Sequence, residues 1–536
     1  MLVKQMIRTS EYHDSVTLME VARALNGLPG VNDAAVVMGT EANRALLEQA
    51  GLWGSELQKA TANDLIVAVA AESESLAERA LEEAGERLAR SRVGSGGAAG
   101  PAGVPRARTI TGAVRSQPGA NLAVISVAGQ YAADEAWEAL RNGLHVLLFS
   151  DNVSIEDEVA LKEYAVQKGL LMMGADCGTA ILNGAALGFA NVVPRGPVGI
   201  VAASGTGLQE TSSLLARLGV GVSQGIGTGG RDLKEAVGGR TMLQGLRALQ
   251  ADPETEVLLL VSKPPAPAVA ERVLAQVRQS DKPAVVCFLG GDPAPIVRTG
   301  ARPARTLQEA AYRAAALAGG AVGQASIAHE SADLQVRAAS LRGRLCAGQR
   351  YLRGLYSGGT LATEALIVWQ EMLGDVRSNV PLRPELKLED VTQSVGHCAV
   401  DLGEDVFTVG RLHPMLDHEL RIRRLMQEEA DPGVAVIVLD VVLGYGAHSD
   451  PASELGPAIR RARTLAQGAG RELLVIVSVT GTDGDPQGLN RQVQALQQAG
   501  ATVAPCNAAA ARLAGLIVAQ AAAQGAVQEA AEGGAA

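Results

Sequence analysis

Val198-Gly199-Ile200-Val201-Ala202-Ala203-Ser204-Gly205-Thr206-Gly207-Leu208-Gln209-Glu210 decides the fold. The apolar run Val198 to Ala202 reads as a strand covered on both faces, which marks a parallel sheet. Ser204-Gly205-Thr206-Gly207 turns the chain into a helix expected to begin near Leu208, and Thr206 with Gln209 fits a capping box. Strand, glycine-rich turn and helix aim free backbone N–H groups and the positive end of a helix dipole at one point, an anion cradle. One such loop is equally a plain crossover turn. A second carries the same G-T-x-x-x-E pattern, Gly359-Thr360-Leu361-Ala362-Thr363-Glu364 after Gly358, matching Gly205 through Glu210. Two matching loops favour one shared anion, held by Ser204, Gly205, Thr206, Gly358, Gly359 and Thr360.

Around these loops the chain alternates strand and helix. Upstream the pattern runs Leu122 to Val127, Asp134 to Arg141, His145 to Phe149, Ile155 to Gln167 and Leu170 to Met173. Downstream it passes through Val257 to Val261 and Ala284 to Phe288, pauses in a Gly/Ala-rich stretch after Ala318, and restarts near Leu352. It then runs through Val434 to Leu439, Leu473 to Val477 and Ala501 to Ala504. The fold class is α/β and multidomain, with parallel sheets. Residues 1–92 read as a small α+β domain of ferredoxin-like type, and the Gly/Pro-rich stretch 93–119 as a linker. Three further α/β domains are expected, over 120–196, 197–325 and 345–525. The Ala-rich end from Leu513 to Val527, interrupted by Arg512, Gln520 and Gln524, reads as a terminal surface helix.

With 536 residues, 47 basic against 57 acidic side chains and 3% aromatics, the chain offers neither a phosphate-backbone footprint nor a stacking platform for bases, so no nucleic-acid partner is expected. No run of 18 apolar residues and no signal-type h-region occurs, so no membrane partner is expected either. The five cysteines stand singly without a C-x-x-C pair, pointing to a reducing, cytoplasmic setting and to no metal site. Gly225-Ile226-Gly227-Thr228-Gly229-Gly230 lacks the dinucleotide spacing, and no P-loop is present.

Histidines concentrate in the C-terminal half. His413, near Arg411, and His448, near Asp450 in the loop after Val434 to Leu443, are candidate catalytic residues, whereas His418 reads as a supporting residue. Arg231, Arg298 and Arg411 are candidate cations for a substrate carboxylate, because guanidinium offers a bidentate fork.

Three segments together resemble the FdrA family, a relative of the succinyl-CoA synthetase (NDP-forming acyl-CoA ligase) superfamily. They are Val198-Gly199-Ile200-Val201 leading into Ser204-Gly205-Thr206, Gly174-Ala175-Asp176-Cys177-Gly178, and Asp440-Val441-Val442-Leu443-Gly444-Tyr445-Gly446. The resemblance covers about residues 121–522: the middle is similar to the ligase α subunit, which implies a partial Rossmann-like, CoA-binding-type domain over 120–196 and a flavodoxin-like domain over 197–325, and the last third, with Asp401-Leu402-Gly403, is similar to the β subunit's flavodoxin-like domain, which implies that type over 345–525. In those ligases two helix N-termini hold the phosphate of a phosphohistidine, which implies that role for the two loops and places Glu210 and Glu364 on their first turns as candidate catalytic groups. An acyl-CoA synthetase close to that superfamily would need CoA to bind around Val127-Ala128-Gly129-Gln130 and Asp176-Cys177-Gly178, with Cys177 and Gly178 as the candidate contacts.

The sequence departs from the ligases in three places. After the strand Ala284 to Phe288 stands Gly290-Gly291-Asp292-Pro293-Ala294-Pro295-Ile296-Val297-Arg298, and no histidine occurs between His145 and His329. The Gly-rich CoA-binding turn and the ATP-grasp part are also unmatched.

The resemblance therefore implies a subunit of an oxamate carbamoyltransferase of purine (allantoin) catabolism, with carbamoyl phosphate as substrate, a carboxylate or amide acceptor, and other protein subunits or a second copy as partners. Two alternatives stay open: an acyl-CoA synthetase that binds CoA, and a non-catalytic scaffold or regulatory subunit. The two termini are expected to face each other within about 10 to 12 Å, the span of one phosphate with its hydrogen bonds.

Overall fold

The computed structural model describes residues 2–9, 11, 13, 15–40, 43–44, 47–48, 50–61, 64–97, 107–320, 324–408 and 412–519. The chain divides into two compact units, Met1–Leu144 with Glu404–His413, and His145–Gly403 with Pro414–Ala536.

In the first unit β1 (Leu2–Arg8), β2 (Val31–Met38) and β3 (Leu65–Ala71) form an antiparallel sheet in the order β1-β3-β2. Period-two alternation explains why central β3 is apolar throughout. Leu65, Val67, Val69 and Ala71 face α1 (Ser15–Asn26) and α2 (Glu74–Gly97), while Ile66, Ala68 and Ala70 meet Leu47, Leu52 and Leu57 on the other face. The linker expected over 93–119 is helical at both ends. Gly97 still belongs to α2, and α3 (Ile110–Ser116) starts where the Thr109 side chain accepts from Gly112 N–H. Residues 98–106 of that stretch lie outside the described residues. β4 (Leu122–Ile125) and α4 (Gly129–Arg141) complete the unit.

The second unit opens with β5 (His145–Leu148), α5 (Ile155–Lys168) and β6 (Met172–Met173), β5 and β6 pairing in parallel. The hairpin β7 (Thr179–Leu182) and β8 (Ala185–Gly188) corrects the expected boundary at residue 196. It adds to the edge of the next sheet, β7 pairing antiparallel with β10 (Val222–Gly227), rather than closing a separate domain.

The first lobe contains β9 (Val198–Ala202), α6 (Gly205–Arg217), α7 (Arg240–Ala251), β11 (Val257–Ser262), α8 (Pro267–Arg278), β12 (Ala284–Phe288), β13 (Arg302–Pro303), α9 (Leu307–Leu317) and α10 (Gln324–Arg342). Its sheet runs β13-β12-β11-β9-β10-β7-β8, so the parallel strands take the flavodoxin-like order 2-1-3-4-5.

The second lobe keeps that order apart from the added two-residue edge strand β15; it contains β14 (Tyr351–Tyr356), α11 (Gly359–Leu373), β15 (Arg377–Ser378), β16 (Cys398–Asp401), α12 (Glu419–Glu429), β17 (Val434–Val442), α13 (Pro451–Gly468), β18 (Leu474–Thr480), α14 (Leu489–Gln498) and β19 (Thr502–Ala504). Its sheet is β15-β16-β14-β17-β18-β19. The switch point of each sheet, where ligands of open α/β folds bind, lies between β9 and β11 in the first lobe and between β14 and β17 in the second.

One core runs through both lobes, with Leu208 and Leu215 of α6, Ala314 of α9, and Leu361, Leu366 and Trp369 of α11. A last helix over residues 507–519 (α15) corrects the expected surface helix in its described part, residues 520–527 of that stretch lying outside the described residues: Ala508 to Ala511, Leu513, Ala514, Ile517 and Val518 are buried in this core. Small alanines let α15 approach closely, and Trp369 Nε1 donates to its Ala511 carbonyl at 2.8 Å. Trp369→Ala should destabilise the second unit by about 3–5 kcal/mol, through lost burial, a cavity and an orphaned carbonyl. Urea unfolding followed by near-UV circular dichroism measures the loss.

Candidate active site at the paired helix termini

Ser204 is extended (φ −165°) and its Oγ accepts from Gly207 N–H at 2.8 Å, which starts α6. Ser204, not Thr206, is therefore the cap, and Thr206 lies in the first turn. At the second loop the cap position is Gly358, which has no side chain to accept. A buried carboxylate takes over: Asp440 at the end of β17 accepts from Ser357 N–H, Ser357 Oγ and Gly358 N–H at 2.8 to 2.9 Å. Arg421 of α12, equally buried, holds Asp440 Oδ1 at 3.0 Å.

The two termini touch. Ser204 Oγ and Thr360 Oγ1 lie 2.6 Å apart in a buried hydrogen bond. Gly358 permits the approach, because a Cβ there would meet Thr206 Cγ2 at 2.8 Å. Gly359 is confined as well: its Cβ would lie 2.5 Å from Asp401 Oδ2 and 3.6 Å from Lys263 Nζ. Gly205 is exposed and Thr206 and Gly359 half-exposed, so the junction of the termini opens to solvent beside a sealed hydroxyl pair.

Glu210 and Glu364 lie one turn deeper and are fully buried. Each reaches across to the other lobe. Glu210 Oε1 accepts from the backbone N–H of Asn507, the first residue of α15, at 3.1 Å, and its Oε2 accepts from Thr480 Oγ1. Glu364 Oε1 accepts from the N–H of Leu307, the first residue of α9, at 2.6 Å, and its Oε2 from Asn507 Nδ2 at 2.7 Å. Burial pushes the Glu364 carboxyl up to about 7; nearby Glu210 adds to the rise, and the donated hydrogen bonds and Arg512 oppose it. In this arrangement both glutamates cap buried helix N-termini.

The other sequence candidates are dispersed. Cys177 is buried, and burial pushes its thiol up to about 12, so it stays protonated at neutral pH. Gly178 is held by its carbonyl, which accepts from Phe189 N–H at 2.7 Å. Gly229 accounts for part of the glycine run 225–230, since at φ +85° its backbone passes against the Ala175 carbonyl. His448 lies at the second lobe's switch point, its Nδ1 accepting from Asp450 N–H at 3.1 Å, its Nε2 3.2 Å from Glu454, and its ring 5.2 Å from that of buried His418. His413 belongs to the first unit, and Arg411 lies outside the described residues. Arg298 is exposed after the single turn Ala294–Val297. Arg231 is committed to Glu158 at 2.8 Å and to the Val153 carbonyl. The sequence reading did not single out Lys263 or Asn507; the only cue for Lys263 is its place directly after β11, at the switch point.

These features define a two-lobed CoA-ligase-type module. Residues 355–517 match the CoA-ligase family model, and residues 1–102 match the model described as AllF, heavy metal-associated domain. The chain belongs to the family of Escherichia coli (strain K12) YahF, an uncharacterized protein to which it is 47% identical over 508 residues, 94% of this chain and 96% of that one. It is 30% identical over 199 residues to the succinate–CoA ligase [ADP-forming] α subunit of Aquifex aeolicus, covering 36% of this chain and 63% of the subunit. To the malate–CoA ligase α subunit of Methylorubrum extorquens it is 30% identical over 201 residues, covering 36% and 66%. Among solved structures, the dinucleotide forming acetyl-coenzyme A synthetase 1 of Ca. Korarchaeum cryptofilum aligns over 76% of this chain and 85% of its own at 16% identity and a TM-score of 0.31.

The first domain's residues do not fit the heavy metal of its description. Soft metals take thiolate, thioether and imidazole ligands; residues 1–102 contain no cysteine, one histidine, His13, and four methionines, of which Met6 and Met38 pack against the domain's core. No group of three potential ligands occurs among the described residues. No helix among them is long and apolar enough to cross a membrane.

Glu364 yields a pH prediction. Its carboxyl titrates near 4.5 when unperturbed and near 7 in the fold, so between these values the folded state keeps a proton that the unfolded state has lost. Stability contributed by this group is complete below about pH 4.5 and declines until about pH 7, by on the order of 3 kcal/mol. Glu364→Gln should lower stability at acid pH, because its amide faces Asn507, yet flatten the decline. Denaturant unfolding of both proteins at pH 5, 6, 7 and 8 reads the difference.

Proposed function

We propose that the chain is the phosphate-holding subunit of a carbamoyltransferase, using carbamoyl phosphate and oxamate or a related small amide in allantoin catabolism. The observation that carries this reading is the direct contact of the two helix termini through Ser204 and Thr360 in a segment free of the ligases' carrier histidine. Open helix N-termini favour a phosphoryl group, and more so as charge develops on it. The acceptor nitrogen attacks the carbamoyl carbon, the C–O bond to phosphate breaks, and its electron pair leaves on the phosphate oxygen. The proton lost by the nitrogen passes to phosphate or solvent. Resemblance to FdrA supports the carbamoyl group, and the unmatched ATP-grasp part supports a need for partner subunits.

The 30% identity to ligase α subunits favours a second reading, an acyl-CoA synthetase that binds CoA. Purified chain with its neighbouring gene products should form an N-carbamoyl product from carbamoyl phosphate and oxamate, and Thr206→Ala with Thr360→Ala should slow that by at least about tenfold. Thioester formation from CoA, ATP and a carboxylate without carbamoyl transfer overturns the first reading for the second. Unchanged activity in the double variant overturns the phosphate-holding role and favours a scaffold.

A further inference from the structure

Three elements meet at the paired termini, and the third is the end of β11. There the chain reads Ser262-Lys263-Pro264-Pro265, at the switch point of the first lobe. The strand end lies against α6, since Val261 Cγ1 would be 3.0 Å from a Cβ on Gly207. Lys263 leaves this edge and crosses to the second lobe, where its Nζ lies 3.6 Å from the point that a Cβ on Gly359 would occupy. Its ammonium has no ion-pair partner among the described residues, although Asp401 Oδ2 approaches the same point at 2.5 Å. Beside it Ser262 is buried, and its hydroxyl has no hydrogen-bond partner among the described residues. A lysine and a buried hydroxyl without partners, side by side at a switch point, mark a place where protein contacts are incomplete.

We infer that Lys263 is a substrate-contacting residue whose ammonium binds the phosphoryl group of the acyl phosphate between the two termini. The inference rests on the phosphate-holding reading above. Its physical need comes from the second lobe. Asp440, paired with Arg421, occupies the amides of Ser357 and Gly358, and Asp401 stands beside Gly359, so the second lobe leaves a phosphoryl dianion few free donors. The Lys263 ammonium brings a cation from the first lobe to that point. As the C–O bond breaks and the electron pair moves onto phosphate, the attraction between the Lys263 ammonium and the leaving group grows.

Calorimetry of the full chain with inorganic phosphate and with carbamoyl phosphate tests this, using Lys263→Ala and Lys263→Arg. The alanine variant should bind both ligands about 10- to 100-fold more weakly, the usual effect of losing one charged hydrogen bond. The arginine variant should keep most of the affinity. Both should melt like wild type, because Lys263 is exposed. Wild-type binding matched within twofold by Lys263→Ala overturns the role of Lys263 and leaves the phosphate site standing. Wild-type protein that binds neither ligand overturns both.

Discussion

Two buried carboxylates that cross from lobe to lobe hold the second unit together. A helix N-terminus leaves backbone donors unpaired, and burying one without a partner costs about 1–3 kcal/mol. α9 and α15 both begin inside the structure, and the first N–H of each is taken by a glutamate of the opposite lobe, Glu364 for Leu307 and Glu210 for Asn507. Separated lobes would expose apolar α6 and α11 and leave these donors without their acceptors. The reciprocal exchange explains why both glutamates tolerate full burial: each accepts a hydrogen bond from the first N–H of a helix, at the positive end of its dipole.

The same exchange sets the site. In the G-T-x-x-x-E pattern threonine and glutamate are four residues apart, so they share a helix face. Once the glutamates dock, the threonine ends of α6 and α11 must meet, and Ser204 bonds Thr360. Core packing and the cleft therefore follow from a single register. The termini are unequal, however: the first lobe presents Ser204 and Lys263, the second Asp401 and Asp440. Capacity for an anion lies mainly on the first-lobe side.

Much of the architecture was legible because strands buried on both faces are continuous apolar runs. Val198–Ala202 and Ala284–Phe288 could be read to the residue. β7, β8 and β10 were not, since polar and glycine positions such as Thr179, Gly188 and Gly225 break the run at the sheet's edge. α15 looked like a surface helix because alanine is silent about burial, and only its contact with Trp369 reveals it as core. The paired loops were legible from their repeated spacing. The partners of their glutamates were not, because Asn507 and Leu307 lie far away in sequence and a backbone N–H leaves no trace in it.

The histidines of the second unit bear on how phosphate could be handled. A phosphate carrier needs an imidazole nitrogen free to bond phosphorus. His448 has Nδ1 turned to Asp450 and Nε2 to Glu454, and the Nδ1 of His397 accepts from Leu352 N–H at 3.3 Å, at the start of β14 and so at the opposite edge of the sheet from the termini. The loop after β12, where the ligases carry their histidine, here places Gly290 against Ile367 of α11 and continues through two prolines. The groups that converge on the termini are hydroxyls, amides and an ammonium, with the Asp401 and Asp440 carboxylates beside them, and no imidazole. Under the carbamoyl-transfer proposal the phosphate needs no carrier residue, since it arrives already joined to the group being transferred and departs free.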